Sequence, residues 1–336
     1  MTKKLIFRAD GNSTIGLGHL YRLFSLVEIT KHTFDFVFLT QNSTTSSVIP
    51  KEYATVIVPN GIRVENEPEW LASTFSPKEY CIIADGYQFN GKYQNLLKQK
   101  GFGLMYIDDL ATEHMYADII INHSPYIQEK QYLKESYTKL ALGTNYALVR
   151  PLFLEAAKVN RIVDKIENAF VCFGGADPFN LTIKAVRALL QIPRFKKIYV
   201  VLGGSYRENE IFDLERKHTK VLSVNKNVSQ KDLLNIMCKC HFAIASASTI
   251  LYELCCVKMP ILSGFYVDNQ ELIYKGFLQN AAIYGGDNMK NYEISDFLYR
   301  IEIVLGNRDF SNLIKEQKKL FDDEIAERHL KLIGTL

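Results

Sequence analysis

Strand-length apolar runs alternate with helix-period segments almost throughout this chain, and the alternation starts afresh near its middle. A chain patterned this way folds as parallel sheets covered by helices on both faces. The first series has strand signals at residues 5–9, 34–39, 55–58, 81–84, 103–107 and 118–122, with helical segments at 20–30, 67–74 and 92–98. The second has strands at 169–172, 197–202, 221–223, 242–245 and 260–262, with a Gly174-Gly175 turn leading into a helix at 181–190. Past Tyr292 come two helical patterns, 294–305 and 310–332, and a terminal helix lying back across the first domain suits them. The charged stretch 157–167 reads as the linker, which divides the chain into domains 1–156 and 168–336. The expected fold class is α/β, two Rossmann-like domains facing across a cleft between the carboxyl ends of their sheets, where open sheets of this kind bind ligands.

Composition removes several classes of function. At 336 residues the chain is long enough for two domains, and no apolar run approaches the roughly 18 residues of a membrane span. The N-terminal Met-Thr-Lys-Lys enters Leu5-Ile6-Phe7 directly, too short an apolar run for a signal peptide, so a cytoplasmic location is expected. The net charge of +3 is spread over interspersed signs and offers no basic block for nucleic acid. Six cysteines lie mostly in apolar segments and read as reduced thiols. Cys238-Lys239-Cys240 and Cys255-Cys256 lack metal-ligand spacing, Asp108-Asp109 reads as a capped strand end, and neither a metal nor a cofactor is expected.

The chemistry concentrates in glycine-rich turns that follow strands. Gly16-Leu17-Gly18-His19 opens a helix behind the first strand and sets an imidazole at the positive helix end, a setting for a general base aimed at an anionic substrate. Tyr21 stands where a dinucleotide fingerprint requires glycine, and no P-loop spacing is present. Arg22 either holds phosphate or is solvated on the helix face, and Asp10 contacts the sugar, orients His19 or simply forms a turn before Gly11. Asp85-Gly86-Tyr87 ends another strand where ligand contacts are expected, Tyr87 being a contact or a rim aromatic. In the second series Gly174-Gly175-Ala176-Asp177 lets backbone approach a phosphate or sugar, with Asp177 as a plain helix cap in the competing reading. Ser246, Ser248 and Thr249 start a later helix and read as a pyrophosphate seat or as ordinary capping. Glu253 lies past the first turn, where neither cap nor dipole explains a carboxylate, and acceptance of two ribose hydroxyls does. Asp268 and Glu271 read as a helix start, which leaves Asn269 and Gln270 to face the cleft.

Taken in order from about Leu5 to Gly276, these motifs resemble the UDP-sugar hydrolases of pseudaminic acid biosynthesis, which act on UDP-2,4-diacetamido-2,4,6-trideoxy-β-L-altropyranose and have a GT-B glycosyltransferase-like fold. The resemblance rests on Gly16 to Arg22 after Arg8-Ala9-Asp10, on Gly174 to Asp177 with Asn180-Leu181, on Ser246 to Ser248 with Glu253, and on Asp268 to Gln270. It implies His19 as the catalytic residue, Tyr87 and Asn269 as sugar contacts, residues 246–249 and Glu253 as UDP contacts, and backbone at 224–228 against uracil. It further implies attack by water on the anomeric carbon with inversion, no metal, and upstream and downstream pathway enzymes as partners. The alternatives are a GT-B glycosyltransferase using the same UDP-sugar donor and a non-catalytic nucleotide-sugar binding protein.

Overall fold

The computed structural model describes residues 3–12 and 15–336. The chain divides into two compact units, Met1–Pro151 with Glu324–Leu336, and Leu152–Asp323.

The first unit contains β1 (Lys4–Ala9), β2 (Phe36–Gln41), β3 (Thr55–Val58), β4 (Tyr80–Asp85), β5 (Gly103–Ile107), β6 (His114–Met115), β7 (Ile119–Asn122), β8 (Leu133–Lys134) and β9 (Lys139–Leu142). Seven of these form one parallel sheet in the order β3-β2-β1-β4-β5-β7-β9, and β6 pairs with β8. The inner strands are continuous apolar runs because helices cover both faces. Leu5 and Phe7 of β1 join Leu23 and Val27 of α1 (Gly18–Thr30) on one side. Ile6 joins Leu71 of α2 (Glu67–Thr74) and Leu97 of α3 (Gly91–Gln99) on the other.

The second unit begins with α4 (Pro151–Lys158) and alternates β10 (Asn168–Cys172), α5 (Leu181–Leu190), β11 (Lys197–Leu202), α6 (Glu210–Lys217), β12 (Leu222–Lys226), α7 (Gln230–Lys239), β13 (Phe242–Ser246), α8 (Thr249–Val257), β14 (Ile261–Phe265), α9 (Glu271–Gln279), β15 (Tyr284–Asn288), α10 (Ile294–Gly306) and α11 (Ser311–Leu320). Its six strands run in the order β12-β11-β10-β13-β14-β15, all parallel. Each unit is therefore Rossmann-like.

The structure corrects the expected boundaries. The division falls at Pro151/Leu152 rather than within 157–167, and the terminal residues 324–336 belong to the first unit instead of the second. The single helix expected over 310–332 is two, α11 and α12 (Ile325–Ile333). Phe321 stacks on Phe277 within the second unit, whereas Ile325, His329 and Ile333 bury a stripe of α12 in the first. Strand β15, Tyr-Gly-Gly-Asp-Asn, carries no apolar pattern and pairs only at the sheet edge; a Cβ at Gly285 would lie 2.7 Å from the Tyr274 hydroxyl. All six cysteine thiols are free. Among the described residues no helix is long and apolar enough to cross a membrane.

Candidate active site

In the first sheet the strand order reverses between β1 and β4, the point at which loops diverge and an open α/β sheet leaves room for a ligand. Ala9 and Asp85 end these two strands side by side. Beyond β1, Asn12 and Gly16 exchange backbone hydrogen bonds of 3.1 and 2.9 Å, and Gly16 takes φ +82°, so the chain turns sharply before α1 begins at Gly18. His19 consequently stands in the first turn of α1, facing the end of β4.

His19 Nδ1 lies 2.7 Å from Asp85 Oδ1, and the Asp85 carboxylate is fully buried. Arg22 Nη2 also lies 3.0 Å from Nδ1; with Nδ1–H directed to the Asp85 carboxylate, the basic lone pair is on Nε2. Arg22, one turn along α1, donates from Nε to Asp85 Oδ2 at 3.0 Å, from Nη2 to Asp85 Oδ1 at 2.7 Å, and from Nη1 to Asp109. Burial pushes the Asp109 carboxyl up, but the charge and hydrogen bond of Arg22 outweigh it and hold it at about 2. Two carboxylates thus face one guanidinium. Gly86, at φ +152°, redirects the chain so that Tyr87 meets His19 edge to face, with centroids 4.8 Å apart, while its hydroxyl donates to Asp109 Oδ2 at 3.1 Å.

The Arg22 guanidinium is buried and engaged by Asp85 and Asp109, so it is not solvated on the helix face. Asp10 does not orient His19; Asp85 does. The Asp10 carboxylate is buried and accepts from Arg8 at 2.6 Å, Gln41 N at 2.7 Å, Thr40 at 3.0 Å and Gln88 at 3.0 Å, tying β1, β2 and the loop after β4 together. Burial opposes its ionisation, yet Arg8 and these donors keep it below the usual carboxylate range. Gly16 and Gly18 are exposed, and a Cβ at either would meet nothing within 4 Å. Asp108 is committed to Tyr132 at 2.7 Å and Ala111 N at 2.9 Å, and among the described residues no group of three His, Cys, Asp or Glu side chains could hold a metal ion.

The second sheet reverses its order between β10 and β13, and there the other motifs converge. Gly174, at φ +84°, and Gly175 follow β10, packed so closely under the β11 loop that a Cβ on Gly203 would lie 2.4 Å from Gly175 Cα. Asp177 is the helix cap of the plainer reading, with its two oxygens accepting from Leu181 N at 2.9 Å and Thr182 N at 2.7 Å. Beyond β13, Ser248 occupies the N-cap position of α8 but makes no side-chain capping bond; its Oγ lies 3.2 Å from the buried Ser246 Oγ. The hydroxyls of Ser246, Ser248 and Thr249 thus sit at a helix start that its N-cap side chain does not cap. Glu253 is only 2% exposed, on the side of α8 near Cys172 at the end of β10.

Asp268 is not a helix cap: residues Asp268–Gln270 form one 3-10 turn, and α9 starts at Glu271. Gln270 does not face outward either. It is buried, and its Oε1 accepts from Tyr266 N at 3.2 Å, whereas Asn269 is exposed. Tyr266, absent from the sequence reading, links this segment to the Gly174-Gly175 loop by donating to Phe173 O at 2.7 Å. Asp85 as partner of His19, and Asp109, were likewise missed as site residues. Their signal is positional: each ends or follows a strand on the same sheet edge as His19.

No family model matches the chain. It is 26% identical over 294 residues to an uncharacterized protein of Methanocaldococcus jannaschii, a match covering 83% of this chain and 59% of that protein, so it spans less than two thirds of that relative. It is 26% identical over 277 residues to the UDP-2,4-diacetamido-2,4,6-trideoxy-beta-L-altropyranose hydrolase of Campylobacter jejuni, covering 80% of this chain and 93% of that one. Among solved structures it is similar to Arabidopsis thaliana UGT89C1 complexed with UDP, with a TM-score of 0.69, 12% identity, and 100% and 99% of the two chains covered. The fold is GT-B, two Rossmann-like domains, as in the glycosyltransferases it resembles.

Proposed function

We propose that the protein hydrolyses a UDP-linked diacetamido-trideoxy hexose to UDP and free sugar with inversion at the anomeric carbon, as a step of pseudaminic acid biosynthesis. The observation that carries this reading is the His19–Asp85 pair, 2.7 Å between Nδ1 and Oδ1, at the strand-order reversal of the first sheet. The similarity to the Campylobacter jejuni hydrolase supports the choice of substrate. His19 Nε2 accepts a proton from water as the water oxygen bonds to the anomeric carbon, the bond from that carbon to the diphosphate oxygen breaks, and Asp85 stabilises the imidazolium. UDP leaves as an anion received by the start of α8, with the hydroxyls of Ser246, Ser248 and Thr249, and Glu253 accepts the ribose hydroxyls. Gly174 and Gly175 give backbone access to the same ligand. Tyr87 and Asn269 contact the sugar. No step requires a metal, because helix end and hydroxyls take the charge of the leaving group.

The GT-B fold shared with glycosyltransferases makes transfer to an acceptor hydroxyl the competing reaction. Incubation with the UDP-sugar in ¹⁸O-water and no acceptor separates them. The expected result is label in the free sugar, none in UDP, and an inverted first-formed anomer by NMR. Label in UDP means attack at phosphorus and refutes the role of His19; absence of free sugar until an acceptor is added establishes the transferase.

A further inference from the structure

Five side chains around His19 form a closed circuit. His19 Nδ1 meets Asp85 Oδ1 at 2.7 Å, Asp85 Oδ2 accepts from Arg22 Nε at 3.0 Å, Arg22 Nη1 donates to Asp109, Asp109 Oδ2 accepts from the Tyr87 hydroxyl at 3.1 Å, and the Tyr87 ring returns to His19 at 4.8 Å and 87°. They come from one helix and the ends of two adjacent strands, α1, β4 and β5. We propose that Asp109 is a positioning residue, which acts through Tyr87 to fix the plane of the His19 ring and through Arg22 to hold Asp85 in place.

Asp85 Oδ1 at 2.7 Å and Arg22 Nη2 at 3.0 Å both meet the ring at Nδ1, so they hold one edge of it and leave the direction of Nε2 to be fixed from elsewhere. The edge-to-face contact of Tyr87 closes that freedom. Tyr87 is 45% exposed, and the bond of its hydroxyl to Asp109 anchors the ring against His19. Asp109 can perform this because its side chain is mostly buried and ion-paired to Arg22, so the anchor does not swing with solvent. The rival account is that Asp109 merely neutralises Arg22. In that case loss of the Tyr87 hydroxyl leaves the position of the His19 ring unchanged.

The inference rests on His19 being the base, and its test separates the two ideas. Asp109→Asn, Tyr87→Phe and the double variant are compared in kcat and KM for the UDP-sugar. In parallel, the NMR shifts of the carbon-bound His19 ring protons report the ring current of Tyr87, with the signals assigned by their loss in His19→Gln. Each single variant is expected to lower kcat about 10- to 100-fold with KM changed by less than about threefold, the scale of a slightly misdirected catalytic group. The double variant should be no worse than the poorer single one, because both cut the same tether. Both single variants should also relax the His19 ring-proton shifts in the same direction. Multiplicative losses in the double variant, or unmoved ring-proton shifts, overturn the proposal. Tyr87→Phe alters a half-exposed side chain and keeps the test alive should Asp109→Asn misfold. If the wild type releases no sugar, the hydrolase reading fails, and the ring-proton shifts alone decide whether Asp109 positions His19.

Discussion

Acid should weaken the first unit well above the pH at which its carboxylates protonate, because two of its histidines are buried neutral. His123 is 2% exposed, and its Nδ1 accepts from Leu148 N at 3.2 Å, so a proton there would set two donors against each other. Burial, then the nearby Arg22 charge, lowers it to about 3. His329 is fully buried, bonds Ala147 O through Nε2 at 3.2 Å, and has no partner at Nδ1 among the described residues; burial brings it to about 4. Unfolded, both take protons near 6.5, so between that value and the folded ones the unfolded state binds more protons, and stability falls as pH falls. At pH 5 each unfolded ring is almost fully protonated and each folded ring almost not, which costs about 2 kcal/mol apiece, or about 4 kcal/mol together, relative to pH 7.5. Asp10 and Asp109, held low, add their loss only below about pH 4. Asp108, which burial pushes up, works in the opposite direction. Trp70, the only tryptophan, lies in α2 of the first unit and reports that unit's urea transition by fluorescence. His329→Leu should remove about half of the pH-dependent loss, about 2 kcal/mol. A transition whose stability changes by less than about 1 kcal/mol between pH 7.5 and 5, or a His329→Leu variant with the wild-type pH dependence, refutes the assignment of these rings as buried neutral groups.

Two further outcomes test the site. Asp85→Asn must turn a carboxamide NH₂ either on His19 Nδ1 or on the Arg22 guanidinium, so kcat should fall by about 10² to 10⁴ while UDP affinity holds; turnover within about threefold of wild type would exclude Asp85 as the partner that matters. Glu253→Gln keeps the shape of the buried side of α8 but removes the charge, and calorimetric titration with UDP should show binding weaker by about 1.5–3 kcal/mol, the worth of hydrogen bonds to a charged group. An unchanged Kd would make Glu253 a structural residue of the second unit.

Much of the fold was legible because buried parallel strands are continuous apolar runs: Cys81-Ile82-Ile83-Ala84 and Phe242 to Ala245 can hardly be anything else. What escaped is held by backbone and context. Gly285 and Gly286 in β15 pair with β14 where neighbouring groups crowd in, and glycine there records close approach rather than an absence of strand. A terminal helix returning to the first unit suited the pattern, but no residue of α12 fixed it. Its stripe of Ile325, His329 and Ile333 announces a buried face without saying which unit buries it.

For the site, sequence alone reaches residues next to a structural signature and stops at partnerships made through strand order. His19 follows a glycine turn, and Ser248 follows a strand, so both are visible locally. Asp10 lies nine positions before His19 and is the natural guess for its partner; Asp85 lies sixty-six positions after it and is the actual one. The difference follows from β4 lying beside β1 on the side opposite β2, which sends the loops after β1 and β4 apart and leaves their ends facing one another. Asp10 turns toward β2 and meets Thr40 and Gln41, whereas Asp85 turns toward α1 and meets His19 and Arg22. The same reversal in the second sheet puts the Gly174 turn after β10 next to the end of β13 at Ser246. Strand order decides which acid becomes scaffold and which serves the imidazole, and no local pattern carries that order.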